Sequence, residues 1–213
     1  MGKGPFLLGV TGGMGSGKSS VCRILEGLGC RVFEADLVAR QLQDADPQVR
    51  AGMQALFGEE IYKVASDGSP ELRRREVASR VFGDTTLLGK LNGLVHPAVY
   101  RAFDEAVDAA TRDGVPVLVK EAAILFESGG DKGLDAVVVV SADMQLRVER
   151  AMQRTGLGRE EVLRRIGTQW PREELERRAD YVIENNGTLE ELAAETRKVF
   201  QAVLARIGQT SPG

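Results

Sequence analysis

Two cysteines, one histidine and one tryptophan are all that this chain of 213 residues holds of those types. Cys22 and Cys30 form no C-x-x-C pair, and with His96 as the lone histidine they are too few for a Cys/His zinc site. Staples are not required, because a chain of this length buries roughly 70% of its unfolded surface in a hydrophobic core. A reducing compartment and cytoplasmic localisation are therefore expected. No apolar run approaches the ~18 residues of a membrane span, so no membrane association is expected. The segment ahead of Gly12 and Gly13 is too short in apolar residues for a secretory signal, and Phe6 stands where N-myristoylation wants Ser or Thr. An excess of positive charge is also missing: 28 basic and 31 acidic residues leave a formal net charge of -3. A global field that would hold nucleic acid is thereby absent, and no nucleic-acid partner is expected. The expected state is a monomer or weak homo-oligomer.

Arginine and glycine are what the chain has in quantity, with 21 Arg against 7 Lys and 25 Gly. The arginines cluster at 73–75, 147–165 and 172–178. Planar forks of this kind match phosphate bidentately, while the ordinary reading for most of them is a solvated helix face laced with Glu.

Five short runs rich in β-branched residues alternate with longer amphipathic stretches: Phe6–Thr11, Arg31–Ala35, Val115–Ala122, Ala136–Ser141 and Tyr181–Glu184. Near-continuous hydrophobicity in the third and fourth implies burial on both faces, as in a parallel sheet covered by helices. The expectation is an α/β fold with a doubly wound five-stranded parallel sheet. Two intervals are too long for one crossover helix. The first, 37–112, reads as a helical insertion with hardly any strand signal; Gly58 and Asp67-Gly68-Ser69-Pro70 punctuate it. The second, 144–178, is Arg-dense, breaks at Gly156–Gly158 and Pro171, and suggests a hairpin-like mobile lid. The core is then 1–36, 113–143 and 179–208, with a frayed tail at 209–213.

After the first strand, Gly12-Gly13-Met14-Gly15-Ser16-Gly17-Lys18-Ser19 satisfies G-x-x-x-x-G-K-[ST] ahead of a good helix. Glycines at 12, 13, 15 and 17 allow positive φ and leave consecutive N–H groups pointing inward as an anion nest, at the positive end of the helix that follows. Lys18 would supply a full charge at the β- and γ-phosphates of a nucleotide, and the Ser19 hydroxyl would ligate Mg²⁺. Neither D-x-x-G nor N-K-x-D occurs, which removes a GTPase switch; L-S-G-G-Q is missing too. A helical insertion and an Arg-rich lid favour a small-molecule kinase, which must exclude water from the γ-phosphate.

At the end of the second strand, period-two geometry sets Glu34 and Asp36 on one side, at the carboxyl edge where open sheets place ligands. An acceptor hydroxyl would be held there; the competing role for Asp36 is a helix N-cap.

Taken in order, GVTGGMGSGKSS, FEADLVAR, LNGLVHP, ILFESG, QLRVERAMQR, RRIGTQWP and ADYVIENNG resemble the dephospho-coenzyme A kinase family over nearly the whole chain. The resemblance implies transfer of the ATP γ-phosphate to the ribose 3'-hydroxyl of dephospho-CoA, with Mg²⁺. It also implies that the insertion binds dephospho-CoA. Carried over by position, the base falls on Asp36, the lid arginines on Arg150 and Arg154, and the substrate-side arginines on Arg40 and Arg74, with Arg80 a weaker candidate. His96 falls among the CoA-binding helices, where packing or hydrogen bonding is favoured over catalysis. Asn185, Asn186 and Gly187 look like the loop lining adenine, and Gly13, Gly15, Ser16, Gly17, Lys18, Ser19 and Ser20 form the phosphate site. The family usually has Asp at Glu34, Pro at Ala123 and Thr at Ser20. Whether Glu34 helps orient the metal stays open, as does Glu121, a Walker-B-like carboxylate or a plain ion pair. The alternatives are another P-loop small-molecule or nucleoside monophosphate kinase and a non-catalytic nucleotide-dependent regulator.

Overall fold

The computed structural model describes residues 4–66 and 68–209. Its described residues fall into two compact units, one drawn from Met1–Glu34 and Val107–Gly213, the other from Ala35–Ala106.

The first unit is built on a five-stranded parallel sheet: β1 (Phe6–Thr11), β2 (Arg31–Glu34), β5 (Val117–Glu121), β6 (Ala136–Ser141) and β7 (Tyr181–Glu184), in the order β2-β5-β1-β6-β7. The β-branched runs form these strands because a pleated surface covered on both sides rewards them, and β5 and β6 are buried at every position. α1 (Lys18–Gly27) and α9 (Leu189–Gln209) cover one face, where Val21, Leu25, Leu192, Phe200 and Val203 meet Leu8, Val10, Val119, Val138 and Ile183. Between β6 and β7 run α6 (Met144–Thr155), α7 (Arg159–Ile166) and α8 (Arg172–Arg178). Val148 and Ala151 of α6 pack with Val162 and Ile166 of α7 in a small core of their own, against which Met14 rests.

The second unit holds α2 (Ala35–Ala45), α3 (Pro47–Phe57), a short 3-10 turn (Glu59–Ile61), a two-stranded antiparallel hairpin of β3 (Tyr62–Val64) and β4 (Pro70–Leu72), α4 (Arg74–Val81) and most of α5 (Thr85–Arg112). Asp46 caps α3 by accepting from the Gln48 and Val49 amides at 2.8 and 2.9 Å, with Pro47 at the first helical position.

Several expectations need correction. The hairpin lies where hardly any strand signal is visible, because each arm is three residues long, too short for period two to register. The second strand stops at Glu34 and α2 starts at Ala35, so Asp36 stands in the first turn of a helix. Period two therefore does not relate it to Glu34, and it lies one position inside the helix rather than capping it. The third strand is shorter at both ends than its apolar run, and the 144–178 segment is three helices, not a hairpin of two. Gly208 and Gln209 continue α9, while 210–213 fall outside the described residues.

Candidate functional site

β1 is the central strand, paired with β5 on one side and β6 on the other. The chain direction across the sheet switches there, and the crevice outside the carboxyl ends of such strands is where open α/β sheets bind ligands. The glycine-rich loop fills this position. Gly15 (φ 79°) and Gly17 (φ 103°) occupy the left-handed region that side-chain-bearing residues avoid. Gly13 does not have positive φ; the lack of a Cβ matters there because the Arg147 guanidinium lies against it. α1 then starts at Lys18 with no side-chain cap and no acidic residue in its first turn, which leaves its N–H donors directed at the loop. Lys18 Nζ reaches back to donate to the Gly12 carbonyl at 2.8 Å. Thr11 Oγ1 and Ser16 Oγ are buried beside the loop with no hydrogen-bond partner, the kind of orphan a bound anion or water would satisfy.

Side chains distant in sequence hold the loop. Asn185 is buried, accepts from Arg150 Nη1 through its carbonyl at 2.8 Å, and donates from Nδ2 to the Ser16 carbonyl at 2.8 Å. Arg147 Nε donates to the Met14 carbonyl at 3.1 Å. Burial lowers the Arg147 pKa, and the Arg172 guanidinium lowers it further. Gly13, Ser16, Arg147 and Arg172 line a cavity of about 10 Å³, room for a single water. Arg172 is held by Asp143, Glu176 and Glu184, and Glu176 also accepts from Ser141 Oγ at 2.6 Å. Asn186 exchanges hydrogen bonds with Asp143. At Gly187 a Cβ would collide with the Glu191 carboxylate, which takes the Thr188 amide at 2.7 Å.

On the β2 side, Glu34 and Glu121 are register partners on adjacent strands. With Ser19, Cys22, Arg23 and Glu26 they line a cavity of about 120 Å³. Burial pushes the Cys22 thiol well above its usual range. Among the described residues no group of three or more His, Cys, Asp or Glu could hold a metal by itself. The hard oxygens of Ser19 and two carboxylates nevertheless fit Mg²⁺, which in phosphoryl-transfer sites takes one or two carboxylates and completes its shell from phosphates and water.

In the second unit, Asp36 and Arg40 are exposed on α2. Arg74 is half-buried, pairs with Asp44 at 2.5 Å and donates to the Arg40 carbonyl at 2.8 Å. Its fork thus ties the start of α4 to α2. Arg80 donates to the Phe57 carbonyl at 2.5 Å and pairs with Glu76. His96 lies in α5 with its ring 6.2 Å from that of Tyr100, and burial lowers its pKa.

A sequence model of the family described as dephospho-CoA kinase matches residues 6–191. The chain belongs to the dephospho-CoA kinase family. A dephospho-CoA kinase of Chlorobium chlorochromatii is 54% identical over 201 residues, covering 94% of each chain. One of Chlorobaculum tepidum is 47% identical over 200 residues, covering 94% of this chain and 96% of its own. Among solved structures, a Thermus thermophilus protein superposes with a TM-score of 0.79 at 36% identity, covering 96% of this chain and 98% of its own. The dephospho-CoA kinase of Campylobacter jejuni, with a TM-score of 0.66 at 24% identity over 92% and 96% of the two chains, shares the fold.

Of the residues picked out from sequence, the structure brings Ser16, Gly17, Asn185 and Arg150 together. Ser19 joins Glu34 and Glu121 at one cavity, and Ser20 sits one residue further along α1. Arg154 is exposed in the last turn of α6. Two residues at the loop escaped sequence reasoning. Arg147 precedes Arg150 and Arg154 by three and seven positions, so the helical face they share was readable. Gln169 carries no charge and no motif spacing.

Proposed function

We propose that this chain transfers the γ-phosphoryl group of ATP to the ribose 3'-hydroxyl of dephospho-CoA, releasing CoA and ADP. The observation that carries the reading is the family match over residues 6–191, a range that includes the phosphate loop, Asp36 and the arginines of α6. The loop's amides, the α1 N-terminus and Lys18 bind the ATP phosphates and offset charge that develops on transfer. Ser19, with Glu34 and Glu121 beside it, would hold Mg²⁺. The chemistry such an ion would supply there is neutralisation of phosphate charge. Asp36 takes or orients the proton of the acceptor hydroxyl. The 37–112 segment binds dephospho-CoA, with Arg40, Arg74 and His96 toward it. The 144–178 segment acts as the lid, excluding water and bringing Arg150 and Arg154 to ATP. Asn185 and Gly187 belong to the ATP side. The chain works in the cytoplasm as a monomer or weak homo-oligomer.

ADP release measured with a panel of acceptors tests this, with Lys18→Ala as the blank. Stimulation by dephospho-CoA alone is expected. Stimulation by nucleoside monophosphates instead, or by no acceptor, overturns it.

A further inference from the structure

Met14 is the only residue among the first four of the phosphate loop, Gly12 to Gly15, that has a side chain. Its neighbours leave the backbone there with large conformational freedom, which must be given up if the N–H groups are to hold one geometry. Met14 is fixed at three points. Its side chain rests on the α6–α7 core of Val148, Ala151, Val162 and Ile166. Its carbonyl accepts from Arg147 Nε, and its amide donates to Gln169 Oε1 at 2.7 Å. The other end of the same Gln169 amide group, Nε2, donates to the Ala123 carbonyl at 3.1 Å.

We infer that Gln169 is a positioning residue for the phosphate loop, its amide joining Met14 to Ala123, just past the carboxyl end of β5. The inference rests on reading this loop as the ATP site. Gln169 lies in the connection between α7 and α8, and the adjoining residue fixes that connection against the same stretch. The Trp170 amide donates to Glu127 Oε1 at 3.2 Å, its ring stacks on Phe126 at 6.5 Å and 8°, and the Arg178 guanidinium lies 4.7 Å from its centroid. One side chain therefore spans three segments: the glycine-rich loop, the stretch just past the end of β5, and the connection between α7 and α8. A residue acting this way alters binding of the phosphates and leaves binding of the nucleoside untouched, since its two hydrogen bonds go to backbone groups of Met14 and Ala123.

The test is equilibrium binding of ADP and of adenosine to the full chain carrying Gln169→Met, which keeps length and packing but can neither accept from Met14 nor donate to Ala123. Gln169→Glu is the second variant, keeping an acceptor for the Met14 amide. Melting temperature and Trp170 emission establish foldedness. ADP affinity is expected to fall about 10-fold in Gln169→Met, in keeping with two lost hydrogen bonds, and less in Gln169→Glu, with adenosine affinity unchanged in both. Equal weakening of ADP and adenosine, or no change in either, overturns the inference. No acceptor is present, so an error in the acceptor would leave this result standing. Should wild type bind ADP no better than adenosine, the ATP-site reading itself fails.

Discussion

Asn185 Nδ2 donates to the Ser16 carbonyl across 169 positions of sequence, directly over the place where a side chain at Gly17 would project. The two residues are complementary: the amide can approach because the glycine is bare. Gly17→Ala places a Cβ on the amide and holds a left-handed φ of 103°, so it combines overlap with backbone strain. ADP binding is expected to weaken by at least ~10-fold, with a melting temperature several degrees lower, in line with a cost of about 1–3 kcal/mol for such strain. Asn185→Ala removes the obstruction along with the hydrogen bond. Combined with Gly17→Ala it is expected to cost less than the two single changes added together. Additive losses in a double-mutant cycle would contradict the coupling.

The two arginines of α6 proposed for the lid differ in what they touch. Arg150 is half-buried against the Asn185 carbonyl, whereas Arg154 is exposed. Both Arg150→Ala and Arg154→Ala are expected to lower kcat/KM for ATP. Only Arg150→Ala is expected to lower the thermal midpoint as well, through loss of a hydrogen bond contributing about 1 kcal/mol. Unchanged ATP kinetics in both variants would remove the lid role, and equal melting temperatures would remove the distinction.

Glu34 ends a strand and Asp36 opens a helix, so their substitution separates two kinds of carboxylate. Asp36→Asn is nearly isosteric but accepts no proton. It is expected to reduce kcat by about 10²-fold while ADP affinity stays within a few-fold, because the phosphate loop is untouched. Glu34→Gln, which faces the Ser19 cavity with Glu121, is expected to cost about 10-fold and to raise the Mg²⁺ concentration needed for half-maximal rate. Circular dichroism on both guards against a lost helix terminus being read as lost chemistry, since an acidic side chain in the first turn stabilises by about 0.3–1 kcal/mol. If Glu34→Gln is the more damaging at equal foldedness, the base is misassigned.

His96 gives the stability of the chain a pH dependence of fixed sign. Burial lowers its folded pKa below the ordinary 6.5, so the unfolded chain takes up the proton first as pH falls. Its contribution is fully present above pH 6.5 and is lost as pH drops from there toward the folded pKa. Urea midpoints measured at pH 7 and pH 5 are therefore expected to fall less for His96→Gln than for wild type. A steeper fall in the variant would mean that His96 gains a partner for its charged form.

Much of this architecture was legible because it rests on local pattern. The runs at 6–11, 136–141 and 181–184 are strands to the residue, since β-branched sequence of that length has few other outlets once helices cover both faces. The glycine-rich loop stands out in the sequence because its motif is confined to eight residues, although the contacts that need bare glycines at 13 and 17, with Arg147 and Asn185, are tertiary. Asp36 was misplaced because Phe33-Glu34-Ala35-Asp36 alternates apolar and acidic residues just where a strand gives way to a helix, and four residues satisfy either period. What lay beyond reach was tertiary. Nothing within the segment around Gln169 signals that its amide will meet Met14, 155 positions away. Nor does a run of arginines say which one is drawn under a glycine, as Arg147 is under Gly13.

The central place of β1 has a consequence for how the molecule loosens. Its backbone is bonded to β5 on one side and β6 on the other, whereas β2 and β7 are edges with a single neighbour each. Opening of this sheet proceeds from its margins, and amides of β1 exchange with solvent only in the largest openings. The glycine-rich loop is therefore suspended from the strand that is hardest to free. Thermal fluctuation at β2 or the end of α9 can come and go while the glycine-rich loop keeps its shape.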